Sequence, residues 1–165
     1  MVDVSLALTS TSHVSKFAPD VRLPYMVEKT VTAAEMIAAK GSAIAAADVY
    51  DVLQVPAGTV ILGVWARKIA AFAGTSTDLA LDIGITGVDA DLYSNDWAFD
   101  DAALNSYAPV GTGLTDYGTV TNATQIISIL VGAQTGTWTA GTIQVYALCI
   151  DLSDNVIAGL PALGS

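Results

Sequence analysis

The sequence predicts an all-β fold, an antiparallel sandwich or barrel with one short helix and an extended N-terminal arm. Three observations point there. Segments with period-two alternation follow one another at short spacing, punctuated by Gly and Pro. Helix signals are confined to one capped stretch. The chain has 165 residues, 53% hydrophobic and 13% charged, which is enough apolar surface for one core and too little length for two large domains.

Taken in order, residues 1–24 are dense in Ser and Thr, carry Pro19 and Pro24, and lack clear periodicity, which predicts an extended arm. The body spans residues 25–152, and residues 153–165 form a C-terminal tail. Glu28–Thr32 reads as a first strand. Thr32 and Glu35 then form the S/T-x-x-E capping box, AAEMIAAK supplies helix formers, and Gly41 supplies a left-handed stop, so a helix is expected over 33–40. Residues 48–55 form a strand that turns at Pro56 and Gly58. In the long strand 59–72, strict alternation puts Val60, Leu62, Val64 and Ala66 on one face and Ile61, Trp65, Arg67 and Ile69 on the other. Leu79, Leu81, Ile83 and Ile85 alternate with Ala80, Asp82, Gly84 and Thr86, which predicts one core face and one wet face. Residues 86–117 exceed an ordinary loop and are expected to hold irregular strands near Leu92 and Gly118. Ile127, Ile129 and Val131 share a face of the next strand, and Ile143, Val145, Ala147 and Cys149 share a face of the last. The Thr-rich AQTGTWTAGT segment between them reads as the connection of an antiparallel pair.

Charge is unevenly placed. All six cations (Lys16, Arg22, Lys29, Lys40, Arg67, Lys68) lie within residues 1–68 and are balanced there by acids, so the net charge of -10 belongs to residues 69–165. A nucleic-acid binder needs Lys and Arg to displace phosphate counterions, and this distribution opposes both nucleic acid and anionic membranes as partners. No apolar run reaches the roughly 18 residues of a membrane span, and the start of the chain lacks a signal-peptide pattern, so folding in a cytoplasm is expected.

Catalytic material is scarce. His13 is the single histidine and falls in the arm, and no zinc, P-loop or G-x-S-x-G motif occurs, so the expectation is a non-enzyme without cofactor. Cys149, the single cysteine, reads as a buried apolar side chain. In DIGITGVDADLYSNDWAFDD, Asp82, Asp89 and Asp91 are oxygen donors of the kind calcium takes, but their spacing departs from the EF-hand pattern, and solvated turn acids account for them better. Trp97, Tyr93 and Tyr107 are candidates for stacking on a sugar. Trp138, in a Thr-rich loop, is expected at an interface or exposed rim.

The segments DVYDVLQVPAGTVILGVWARKI, LALDIGITGVDADLY and ATQIISILVGAQTGTWTAGTIQVYALCIDLSD resemble a family of small virion proteins of tailed bacteriophages. Three features carry the resemblance: Asp48, Val49, Leu53, Val55, Pro56, Ala57, Gly58 and Thr59 of the first hairpin; Asp82, Ile83 and Gly84 before the acidic loop; and residues 127–147 of the final strands. It covers residues 25–152. It implies a jelly-roll β-sandwich on the outer surface of a capsid, acting as a decoration or cement protein that binds the major capsid protein, commonly as a homotrimer. On that reading, residues 1–24 with Lys16 and Arg22 reach onto the capsid or a neighbouring copy, and strand faces bearing Trp65 or Tyr146 form a subunit interface. A carbohydrate-binding or receptor-binding module of a phage fibre or tail is the alternative.

Overall fold

Alternation of apolar residues becomes two stacked sheets. The computed structural model describes residues 3–9, 24–109 and 123–152. Its strands are β1 (Asp3–Thr9), β2 (Tyr25–Thr32), β3 (Val49–Val55), β4 (Thr59–Gly74), β5 (Ala80–Ile85), β6 (Asp89–Ala98), β7 (Gln125–Val131) and β8 (Trp138–Asp151), with one helix, α1 (Ala33–Lys40). One sheet has five strands in the order β1-β3-β7-β5-β6, and the other has three in the order β2-β8-β4. Every pairing is antiparallel except β1 on β3. The choice between sandwich and barrel is thereby settled as a sandwich.

Between the sheets lie the residues that alternation selected. Ile127, Ile129 and Val131 of β7 face Ile143, Val145, Ala147 and Cys149 of β8, all fully buried. Burial pushes the Cys149 thiol up to about 11, so it sits in the core as a neutral group. The helix forms as its caps dictate. Glu35 N–H donates to Thr32 Oγ1 at 3.2 Å, Glu35 Oε2 accepts from Thr32 N–H at 2.8 Å, and Gly41 ends the helix at φ +74° with its N–H on the Ile37 carbonyl. Eight residues make a marginal helix alone, and burial of Ala33 and Met36 secures it.

Four expectations change. Within the segment read as an arm, residues 3–9 form β1 on the edge of the larger sheet, while residues 10–23 lie outside the described residues, as do the tail 153–165 and the strand expected near Gly118. In β4 a bulge falls at Leu62: Ile61 pairs with Cys149 and Gly63 with Leu148, which leaves Leu62 exposed and moves Ile61 to the core side with Val64 and Ala66. β5 has no wet face. It runs between β7 and β6, and Asp82 is buried with its Oδ1 accepting the Asp96 N–H at 2.7 Å. That N–H is turned inward by a bulge in β6, where Leu81 pairs with Trp97 and Ile83 with Ser94 while Asp96 takes φ +52°. The same strand passes so close to Gly84 that a Cβ there would lie 2.1 Å from the Asp89 carbonyl oxygen. Finally, residues 132–137 cross from one sheet to the other, so β7 and β8 do not pair. The strand expected near Leu92 is β6.

Candidate interaction surface

The smaller sheet turns one face to the core and the other outward. Alternation brings Met26, Glu28 and Thr30 of β2, Gln144, Tyr146, Leu148 and Ile150 of β8, and Trp65 and Arg67 of β4 to the outward side. Register sets Tyr146 directly between Glu28 and Trp65, and Gln144 between Thr30 and Arg67. Tyr107 joins them through a single antiparallel bridge to Arg67. Met26, Trp65, Tyr107 and Tyr146 line a recess of about 480 Å³, in which Met26 is 52%, Trp65 40% and Tyr107 57% exposed.

Local chemistry holds this arrangement. Trp65 folds back over Gly63, where a Cβ would lie 2.5 Å from the indole, so only glycine lets the ring lie against the sheet. Tyr107 is placed by backbone bonds from its segment to β4: Lys68 N–H to Ser106 O at 3.0 Å, Asn105 N–H to Lys68 O at 2.8 Å, and Ala108 N–H to Ala66 O at 2.8 Å. Beneath it, the buried Lys68 ammonium donates to the carbonyls of Phe99 and Ala102 at 2.7 Å and of Asp100 at 3.3 Å. Desolvation lowers the Lys68 pKa against the opposing pull of Asp100 and Asp101. The Tyr146 hydroxyl donates to Gln144 Oε1, and Gln144 Nε2 reaches Glu28 Oε2 at 3.3 Å. Burial raises the Tyr146 pKa while the Arg67 charge pulls it down.

The structure brings Trp65 of β4 and Tyr146 of β8 side by side on one face of the smaller sheet. Met26, Gly63 and Tyr107 complete the recess and were not singled out for it. Trp138 is corrected: it is 2% exposed, its Nε1–H bonds Ala140 O at 2.8 Å, and its ring lies 5.4 Å from Phe99, which in turn meets Trp97 edge-on at 5.2 Å. A Trp that opens a strand at the sandwich end fills that end instead of the rim. Trp97 at 3% and Tyr93 at 5% exposure are likewise inside, because the β6 bulge turns them inward, so neither offers a face to a sugar.

The acidic loop is self-contained. Asp91 N–H donates to Asp89 Oδ1 at 3.3 Å, Asn95 Nδ2–H donates to Asp91 Oδ2 at 2.9 Å, and Asp82 points into the sheet toward Asp96. Among the described residues no group of three or more His, Cys, Asp or Glu could hold a metal ion. His13, Lys16 and Arg22 lie outside the described residues.

Fold and face together define a β-sandwich with an exposed, largely aromatic recess on its smaller sheet. No protein-family model and no curated protein sequence matches the chain. Among solved structures, it is similar to a chain of the cyanophage Pam1 capsid asymmetric unit (19% identity, TM-score 0.58), over 87% of this chain and 97% of that one. It is also similar to a chain of the capsid of Ralstonia phage GP4 (15% identity, TM-score 0.57), over 91% of this chain and 98% of that one. At these identities the likeness is one of fold, and it takes in nearly the whole of both neighbours.

Proposed function

We propose that this protein is a structural component of a tailed-phage capsid, seated on the outer surface of the shell as a decoration or cement protein. The observation that carries the reading is the near-complete overlap with chains from two phage capsids. The strand order supports it. β2-β8-β4 and β3-β7-β5-β6 follow jelly-roll pairing, the Arg67–Tyr107 bridge stands where the remaining strand would lie beside β4, and β1 is an addition to the β3 edge. Made in the bacterial cytoplasm, the protein would bind across junctions of the major capsid protein as a homotrimer. It would act by contact and not by catalysis. Binding only the mature shell stabilises that shell by mass action.

In this reading Lys16 and Arg22 contact the capsid, and Trp65 and Tyr146 face another copy. Deleting residues 1–20 would remove β1 from the sheet along with Lys16 and leave Arg22 in place, so charge reversal is the cleaner probe. Purified protein is expected to co-sediment with capsids emptied of their own decoration and to raise the temperature at which they rupture. The Lys16→Glu, Arg22→Glu double variant should fold normally and lose most of that binding. Absence of wild-type co-sedimentation would refute the capsid role, and full binding by the double variant would refute the arm contact.

A further inference from the structure

We infer that the outward face of β2-β8-β4 docks a second copy of this chain, with Glu28 of one copy against Arg67 of the other around a Trp65–Tyr146 centre. This deepens the multi-copy capsid reading by naming the surface through which copies meet. Copies that each carry a net charge of -10 repel unless they meet where the acids are absent. Asp89, Asp91 and Asp96 are exposed on β6 of the opposite sheet. On the outward positions of the smaller sheet the charges are Glu28 and Arg67, one of each sign. Four of the exposed large hydrophobic side chains, Met26, Leu62, Trp65 and Tyr107, lie on this sheet or at its margin.

The two charges sit on opposite flanks. Glu28 is on β2 and Arg67 on β4, with β8 between them and a two-residue offset in register, so their backbones stand about 12 Å apart at ordinary strand spacing and rise. Neither forms an ion pair among the described residues, and the buried Arg67 Nε–H has no hydrogen-bond partner there. That donor is closed to a partner from outside, but Arg67 as a whole is half-buried, and a carboxylate arriving on the outward face takes a charge-assisted bond from the rest of its guanidinium. A face with an apolar centre, an acid on one flank and a base on the other is complementary to itself. The same two residues pair whether copies meet across a two-fold axis or follow one another around a ring.

The test is the mass of the full chain in solution, read by light scattering across a dilution series without capsids. Wild type is expected at a multiple of 16.9 kDa. Glu28→Lys and Arg67→Glu should each raise the concentration of half-dissociation at least tenfold, and combining them should restore wild-type mass. Trp65→Ala should dissociate the protein without altering its far-ultraviolet circular dichroism, and Asp91→Lys on the other sheet should leave mass unchanged. A single-chain wild type, single variants that keep their mass, or a double variant that stays dissociated would each overturn the proposal. So would a single-chain protein whose Trp65 fluorescence responds to an oligosaccharide, since the recess would then belong to a glycan. Because no capsid is present, failure here leaves the capsid reading standing, and failure of co-sedimentation leaves this one standing.

Discussion

Trp138→Ala separates a core residue from an interface residue. Trp138 is 2% exposed, packs its ring 5.4 Å from Phe99, and bonds Ala140 O through Nε1–H. A buried Trp removes roughly 150–250 Å² from water, which at about 25 cal/mol per Å² corresponds to some 4–6 kcal/mol. Alanine keeps part of that burial, while the lost aromatic contact with Phe99 adds about 0.5–1.5 kcal/mol. Relaxation of the cavity offsets part of the total. An expected destabilisation of about 4 kcal/mol agrees with Trp-to-Ala substitutions in cores generally. In a chain of this size that lowers the melting temperature by roughly 8–16 °C. Thermal and urea unfolding followed by circular dichroism, at matched protein concentration because self-association couples to stability, measures the shift. A change below about 1 kcal/mol accompanied by loss of oligomer mass would refute the core placement and return Trp138 to a subunit interface.

Two further outcomes follow from buried charges. Burial raises the Asp82 pKa, with the Asp96 charge adding to it and the Asp96 N–H opposing it. A carboxyl whose folded pKa lies above its unfolded value contributes stability that is fully present below the unfolded pKa, near 3.8, and is lost as pH rises through the folded value. Asp82→Asn, which keeps an acceptor for Asp96, should therefore be more stable than wild type at pH 7 and lose that advantage by pH 3; a pH-independent difference between the two would contradict this account. Lys68→Met removes the donor from three carbonyls and should cost about 2–4 kcal/mol, with the amides of Asn105 and Ala108 losing hydrogen-exchange protection. Unchanged protection there would show that the Tyr107 segment is held without the ammonium.

What the sequence revealed follows from which forces are local. The capping box of α1 and the alternation in β7 and β8 depend on neighbours a few residues apart, and both are visible in the sequence. The face assignment in β4 failed because one bulge residue, Leu62, inverts the parity of everything on one side of it, and the one local sign of the bulge is the isolated strand-interior Gly63 beside it. Asp82 read as wet because its partner is a backbone N–H turned inward by a left-handed residue fourteen positions later. β1 gave no hairpin signal because its partner, β3, lies 40 residues beyond it and runs parallel. The recess was half visible. Trp65 and Tyr146 lie on readable strands, whereas Tyr107 arrives through one bridge across 40 residues and Gly63 matters only because an indole lies on it.

A body whose acids crowd one sheet while the outward face of the other carries one charge of each sign is a macroscopic dipole as well as a fold. Two such bodies approaching with their acidic sides foremost are turned aside, and each rotation that relieves the repulsion brings the neutral sheets around to face one another. Orientation is then partly selected before contact. At low ionic strength, where the Debye length is tens of ångströms, encounters become rarer but a larger share of them begin in the productive pose. Added salt reverses both effects, so the rate of association and its fidelity respond to ionic strength in opposite directions.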